Sequence, residues 1–322
     1  MPPECVIGVD LGGTKLLAGA VDADLNVHHR VHRPVRGLDQ RALLDTAVEA
    51  VEEARAAAPG EVSGVGFGIP CMIDQQRGTA VMSIHLPIAD LPFRDLMAER
   101  LGLPVEVDND ANVAALAEHR GGAAQGVSEA VVLTIGTGIG GGLILHGEPY
   151  RGAIGAGAEL GHITIDVNGP PCQGNCPNNG CLETLASGTA LAREGRRIGA
   201  EQPDSALGRA LVEGREVTGA LITELAHDGD GAAVDAVALI GRNLGVGIAS
   251  LLNIFNPDVV VIGGGVIAAG DLLLEPARAE AARRALPPMR DHARIVPAQF
   301  GTEAGLAGAA ALALDAAHRS VA

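Results

Sequence analysis

The chain has 322 residues, 47% of them hydrophobic and 19% charged, with a formal net charge of −16. That length accommodates two domains of ordinary size with substantial cores, aliphatic ones because the chain has no tryptophan and four phenylalanines. A surface this acidic repels phosphate backbones and anionic headgroups, which argues against nucleic acid or membrane surfaces as partners.

Residues 5–22 read as an apolar strand running into Asp10, a turn of Leu11, Gly12, Gly13, Thr14 and Lys15, and a second apolar strand, together a hairpin. Backbone N–H groups, a hydroxyl and an ammonium in that turn suit phosphate oxygens. Asp10, at the strand end, is placed to hold Mg²⁺ through water. A plain hairpin turn explains the glycines equally well at this point. Glu4 and Asp10 interrupt the N-terminal apolar run, so no signal peptide is expected. Cys5 and Cys71 stand apart with no disulfide pattern, which points to a reducing, cytoplasmic setting.

Residues 26–35 supply a third strand whose histidines read as a solvated face. Asp39 caps an amphipathic helix over 39–57, with Leu43, Leu44, Ala47, Val48 and Val51 on one side. A buried strand covers Val62 to Ile69, and a short helix covers 93–101. The strand Val105 to Val107 then delivers Asp108, Asn109 and Asp110 to the start of a helix running from Ala111 to about His119. Ligands of α/β sheets gather at the carboxyl ends of strands. A carboxylate there, kept ionised by the helix dipole, can take a proton from a substrate hydroxyl, and Asn109 can both donate and accept hydrogen bonds. The alternative is that Asp110 or Asp108 only caps the helix.

Residues 130–145 repeat the first theme: a strand, a turn containing Gly136, Thr137 and Gly138, and a strand. Two such hairpins suggest a duplicated fold, with two phosphate-cradling turns facing each other across a cleft around a nucleoside triphosphate. No G-K-[ST] follows, so the turn is not a Walker A loop, and strands rather than helices follow the glycines, so it is not a Rossmann turn. The densest chemistry lies between Glu159 and Glu183. His162, Cys172, Cys176 and Cys181 offer one nitrogen and three sulfurs, the ligand set of a closed tetrahedral zinc. In a chain otherwise poor in cysteine that spacing favours metal over a disulfide or unrelated thiols. Zinc would hold both glutamates in place, and His162 would give one ring nitrogen to the metal and keep the other for a ligand.

From about Ser187 the chain turns helical, with a break near Gln202 and Pro203 and no motif over 190–230. A helix over 232–254 ends at Asn256 and Pro257, and no apolar run reads as long enough to cross a bilayer. The strand Val259 to Ile262 leads into Gly263, Gly264 and Gly265, where a flat base or ribose could approach the backbone; a tight strand-to-helix turn is the alternative. Helices over 271–285 and 305–317 close the chain, the last docking on the first domain.

D-L-G-G-T-K at 10–15, N-D-A-N at 109–112, T-I-G-T-G-I-G-G-G at 134–142, E-L-G-H at 159–162, G-C-L-E at 180–183 and V-V-I-G-G-G-V at 260–266 together resemble the ROK family of sugar kinases and sugar-responsive repressors. The likeness covers nearly the whole chain and, within the family, is greatest to the bacterial glucokinases. It implies an α/β, actin-like or hexokinase-like ATPase fold, two α/β domains around a cleft with a zinc-stapled loop. The smaller domain would cover 1–115, joined by a C-terminal helix over 303–322, and the larger 116–302. The resemblance implies Asp110 as general base and Asn109, Glu159, His162 and Glu183 as sugar ligands. Asp10 would handle Mg²⁺. Gly12, Gly13, Thr14, Gly136, Thr137 and Gly138 would hold phosphates with Lys15, and Gly263 to Gly265 would face adenosine. Structural zinc would take His162, Cys172, Cys176 and Cys181.

The implied reaction moves the γ-phosphoryl group of ATP to the 6-hydroxyl of glucose. Alternatives are a kinase for N-acetylmannosamine, mannose or fructose, polyphosphate as donor, or a sugar-sensing regulator lacking its DNA-binding domain. With Asp10 already in the first phosphate motif, no N-terminal helix-turn-helix is expected. The expected partners are a sugar and ATP, with no nucleic acid or membrane, in a homo-oligomer, either dimer or tetramer. Three departures from the family pattern stand out: Cys-x3-Cys where the family has Cys-x-Cys, Ala158 where it often has glycine, and His85 where glucokinases often carry asparagine.

Overall fold

The computed structural model describes residues 5–321; Glu4 and Ala322, which entered the sequence reading, lie outside the described residues. The chain opens with β1 (Cys5–Leu11), β2 (Lys15–Asp22), β3 (Val27–Pro34), α1 (Gln40–Ala56) and β4 (Val62–Ile69). Three short strands follow, β5 (Met72–Asp74), β6 (Thr79–Met82) and β7 (Ala89–Leu91), then α2 (Phe93–Leu101), β8 (Val105–Asn109) and α3 (Asp110–Gly121). Next come β9 (Ala130–Ile135), β10 (Ile139–Leu145), β11 (Glu148–Pro149), α4 (Leu182–Ala186), α5 (Gly188–Glu201), α6 (Ala206–Val212), α7 (Gly219–His227) and α8 (Gly231–Phe255). The last elements are β12 (Val259–Gly263), α9 (Asp271–Arg284), α10 (Pro287–His292), β13 (Arg294–Pro297) and α11 (Ala304–Val321). The chain divides into two compact units, one of Met1–Ser128, Gly142–Ala158 and Gln299–Ala322, the other of Glu129–Gly141 and Glu159–Ala298.

The first unit is built on a five-stranded sheet in the order β3-β2-β1-β4-β8. Its strands alternate faces, as a period of two requires. Ile7, Val9 and Leu11 turn into a core with Leu43, Leu44, Val51 and Phe67, while Val6, Leu17 and Val21 pack with Leu306, Ala310 and Leu314 of α11. Asp39 caps α1, its Oδ1 accepting the Ala42 N–H at 2.8 Å. Phe67 and Phe93 meet edge to face, ring centroids 5.1 Å apart, a favourable quadrupole geometry. The alanine-rich face of α11 lies close on β1 and β4: a Cβ on Gly66 would run into the Ala309 carbonyl. A small antiparallel sheet, β5-β6-β7, fills the stretch between β4 and α2, where the sequence carries no strong alternating pattern.

The register of the first sheet places the chemistry. Strands β1, β4 and β8 are parallel, Asp10 pairs with Gly68, and Gly68 pairs with Asp108. Three neighbouring strands therefore bring their carboxyl ends to one level.

The second five-stranded sheet runs β11-β10-β9-β12-β13. Both sheets follow one order when their strands are ranked along the chain, and in both the last three strands of that order, β1-β4-β8 and β9-β12-β13, are parallel, the sign of a duplicated architecture. Helix α8 spans 25 residues and meets the length and apolarity of a membrane span, contrary to the expectation that no run does. Many of its apolar side chains, among them Val237, Ile240, Leu244, Ile248 and Leu252, are buried in the second unit, which gives them the packing partners of a core helix. Asn256 ends it in a left-handed conformation, φ 47°, one that asparagine adopts more readily than most residues.

Candidate active site

In the first unit, Gly12, Gly13 and Thr14 form the turn between β1 and β2, closed by a Gly12 N–H to Lys15 carbonyl bond of 3.0 Å. Thr14 and Lys15 are exposed. Asp10 stands just before this turn and Asp110 at the first position of α3, close enough that their charges repel. The N-terminal turn of α11 also reaches Asp10, where Gly305 leaves room for the carboxyl group.

Asn109, rather than Asp108 or Asp110, caps α3: its Oδ1 accepts the Ala111 N–H at 2.9 Å and the Asn112 N–H at 3.3 Å. Its side-chain amide donates to the Cys71 carbonyl at 3.5 Å. Asp108 is 2% exposed and fully engaged. Oδ1 accepts from the Asn109 N–H at 2.8 Å, Gln75 at 3.0 Å and Asn112 at 3.0 Å, and Oδ2 pairs with Arg151 at 2.6 Å. The two acids flanking Asn109 thus differ in their bonding. Asp108 knots β8 to its surroundings, while Asp110 makes one short bond, to the Ala111 N–H at 2.9 Å.

Burial pushes the Asp110 carboxyl above the usual carboxylate range, against the pull of the Ala111 N–H, of His85 and of Asn109. The helix N-terminus favours the ionised form of this acid and desolvation opposes it, and the net shift of the pKa is upward. A raised pKa suits a group that must hold a proton during turnover. His85 lies in the loop between β6 and β7, with its backbone against Gly13, where an added Cβ would stand 3.1 Å from the His85 Cβ. Ser83 braces that loop, donating to the Pro70 carbonyl at 2.7 Å and accepting the His85 N–H at 3.2 Å. Cys71 is buried, and burial pushes its thiol up to about 11, which leaves it an inert core group.

Asp10 is pushed up to about 6, first by burial and then by repulsion from Asp110, with Lys15 pulling the other way. A folded pKa above the ordinary 3.8 means that the folded state holds this proton more tightly than the unfolded chain. The stability so gained is full below the unfolded pKa and is lost as pH rises through the folded one, about 3 kcal/mol in all. Asp10→Asn, uncharged throughout, is therefore expected to be more stable than wild type in urea titrations at pH 8 without nucleotide or Mg²⁺. The gap should close below pH 4; a gap of equal size at both pH values would overturn this account.

In the second unit, the ligand atoms of His162, Cys172, Cys176 and Cys181 all lie within 4.8 Å of one another. The Cys176 and Cys181 sulfurs are 3.8 Å apart, the span expected between two thiolates on a tetrahedral zinc with bonds of about 2.3 Å. His162 turns Nδ1 toward Cys172, 3.5 Å from its sulfur, which leaves Nε2 on the other side of the ring. The longer Cys-x3-Cys arm closes because Gly174 takes a positive φ of 60° and the Cys172 N–H bonds the Asn178 carbonyl at 2.9 Å. The residues fit a structural zinc in number, kind and spacing.

Glu159 precedes the single helical turn Leu160–His162 and is exposed. Ala158, where the family often has glycine, holds φ 65°, the left-handed region that favours glycine. Glu183 sits in α4, and its Oε2 accepts the Ile139 N–H at 2.9 Å. The turn Gly136, Thr137, Gly138 therefore lies directly against it, and a Cβ on Gly138 would strike the Glu183 carboxylate. Gly264 has φ 83° with the Ile135 backbone against it, whereas Gly265 has open space around its Cβ position. The middle glycine thus serves a tight turn, and the third leaves the approach open. A single 3₁₀ segment, Gly265–Ala269, follows before α9.

Sequence reasoning missed Arg151 and Gln75, the partners of Asp108. Neither lies in a motif, and only the fold brings them to β8.

The profile of the ROK family matches residues 6–316 of this chain. A glucokinase of Streptomyces coelicolor is 37% identical over 317 residues, 96% of this chain and 97% of that protein. A crystal structure of a ROK family glucokinase from Streptomyces griseus, in complex with glucose and AMPPNP, superposes with a TM-score of 0.85 at 36% identity, covering 97% of this chain and 99% of the other. A putative xylose repressor from Caldicellulosiruptor sp. is 34% identical over 96% of this chain and 78% of its own length.

Proposed function

Because the chain belongs to the ROK family, we infer that it is an ATP-dependent glucokinase, transferring the γ-phosphoryl group of ATP to the 6-hydroxyl of glucose. The observation that carries the mechanism is Asp110: a carboxylate at the start of α3, spared from capping by Asn109, with its pKa raised by burial. It takes the proton of the attacking hydroxyl, and the Ala111 N–H and Asn109 hold it in position. Phosphoryl transfer asks the protein for alignment and charge neutralisation more than for covalent chemistry. Asp10, whose carboxyl group is repelled by Asp110, would hold Mg²⁺, which would supply charge neutralisation for the phosphates. The Gly12–Thr14 turn with Lys15 and the Gly136–Gly138 turn hold phosphates, and the Gly265 backbone leaves room for adenosine.

Glu159, Asn109, His162 through Nε2 and Glu183 through Oε1 read the sugar hydroxyls. Carboxylates only accept, so each requires a hydroxyl donor at a set place. Sugars lacking that hydroxyl leave a polar group unpaired, which makes such a site selective. The reading carries with it a cytoplasmic homo-oligomer with no nucleic-acid partner, to be checked by light scattering and by gel shift against promoter DNA. The deciding experiment is a coupled assay over glucose, mannose, fructose, N-acetylmannosamine and 2-deoxyglucose, each with ATP and with polyphosphate. Glucose with ATP is expected to give the highest kcat/KM. A higher value for another sugar, or for polyphosphate, would replace this assignment.

A further inference from the structure

The turn Gly136–Ile139 is held from one side by a single corner of the chain. The Gly188 N–H donates to the Gly136 carbonyl at 2.8 Å, the Thr189 hydroxyl donates to the Thr137 carbonyl at 2.8 Å, and Glu183 Oε2 accepts the Ile139 N–H at 2.9 Å. These three bonds take two carbonyls and one N–H of the turn, and none of them uses the Thr137 or Gly138 N–H. The turn's own closure, Gly136 N–H to Gly138 carbonyl at 2.9 Å, sets its curvature but not its place. Its place comes from residues 44 to 52 positions further along the chain.

That corner is rigid for reasons that have nothing to do with nucleotide. The Ser187 N–H ends α4 on the Glu183 carbonyl at 3.1 Å, and the Ser187 hydroxyl, wholly buried, starts α5 by accepting the Ala190 N–H at 3.2 Å. Asn243 of α8 donates to the Leu185 carbonyl at 2.8 Å, and Arg193 donates to the Thr184 carbonyl at 2.9 Å. Upstream, Cys181 of the sulfur cluster is the residue immediately before α4. The backbone of Gly161, next to His162, presses on the Ile139 carbonyl so closely that a Cβ there would not fit. The cluster and the turn thus share one short, braced length of chain.

We propose that Glu183, Gly188 and Thr189 form a positioning clamp through which the zinc loop sets the place of the Gly136–Ile139 turn, with Thr189 a positioning residue for nucleotide; this rests on the reading of that turn as a phosphate holder. The clamp aims the turn's remaining N–H groups by fixing the opposite edge. Loss of zinc then loosens nucleotide binding as well as sugar binding, because Cys181 and Glu183 belong to the same segment. Thr189 is exposed, so its hydroxyl can be removed with little change in core packing.

Thr189→Val keeps the side-chain shape and loses one hydrogen bond. Binding of a fluorescent ATP analogue is expected to weaken by about 3- to 10-fold, the scale of one hydrogen bond. Glucose affinity measured without nucleotide should stay unchanged, and Thr189→Ser should restore the wild-type value. Equal nucleotide affinity in wild type and Thr189→Val, or a parallel loss of sugar and nucleotide affinity with a lowered Tm, overturns the clamp. Wild type that binds no ATP analogue at all overturns the phosphate reading, and the clamp with it. Amide exchange on the wild-type protein provides a second measurement, which holds even if the variant does not fold. Removing zinc should deprotect the peptide carrying Ile139 together with the loop 159–183. Protection of Ile139 that survives while the loop opens rules the coupling out.

Discussion

Asp110→Asn is expected to lower kcat by about 10²-fold or more, the scale of a lost general base, while glucose affinity stays close to wild type. The amide still accepts the Ala111 N–H, so α3 keeps its start, and Asn109 still caps it. What disappears is the group able to take the hydroxyl proton. The same substitution removes the charge that repels Asp10, so the Asp10 pKa should fall. Asp108→Asn provides the contrast. Its carboxylate is buried against Arg151, whose guanidinium would be left without its counter-charge, a loss of about 1–3 kcal/mol, less than for a fully buried pair because the Arg151 side chain is 26% exposed. Asp108→Asn should therefore show a lowered Tm, with any remaining folded protein still turning over. Should Asp110→Asn turn over normally while Asp108→Asn is inactive at an unchanged Tm, the base is Asp108.

Withdrawal of zinc should have the largest effect on stability. Structural zinc binding is worth about 10–16 kcal/mol in small zinc-binding peptides, comparable to the whole stability of a typical domain. The loop between Thr164 and Cys181 has few other ties. Two isolated bridges, Thr164 with Cys181 and Pro171 with Asn179, hold it together with single backbone bonds such as Gly180 N–H to Pro170 carbonyl at 2.8 Å. Burial and the neighbouring thiols push Cys181 up to about 12, so without a cation it stays a thiol and the cluster loses the attraction that closes it. Protein purified without added metal should contain about one zinc per chain, from the ligand set. A strong chelator should lower the Tm and abolish glucose binding, and added zinc should restore both. Full activity in protein shown by elemental analysis to be zinc-free would dismiss the staple.

Local patterns in the sequence correspond to elements set by local rules. The helix capped by Asp39, the strand from Val62 and the stop at Asn256 follow from side-chain periodicity and from residues that act on their nearest neighbours. The four sulfur and nitrogen ligands were legible for a similar reason: three of them fall within ten residues, Cys172 to Cys181, and zinc accepts few donor sets. Helix α8 shows where this reading fails. Its composition alone fits a bilayer, and only its packing in the second unit identifies it as a core helix.

The two acids flanking Asn109 mark the boundary between sequence and fold. By itself the sequence determined that a carboxylate would stand where a strand meets a helix, that glycine-rich hairpin turns would occur twice, and that a Cys₃His set would close a loop. Each is a matter of residue type and short spacing. Local pattern left open which of Asp108, Asn109 and Asp110 caps the helix and which is tied into the fold, and only the family resemblance pointed to Asp110 as base. The cap and the tie depend on the Asn109 bonds to the Ala111 and Asn112 N–H groups and on Gln75 and Arg151, 33 and 43 residues from Asp108, while burial raises the Asp110 pKa against the helix dipole. Likewise only the tertiary structure showed that Glu183 grips the Ile139 N–H. Hydrogen bonds between distant segments, and the desolvation of a charge, depend on what the fold brings near; no local pattern encodes them.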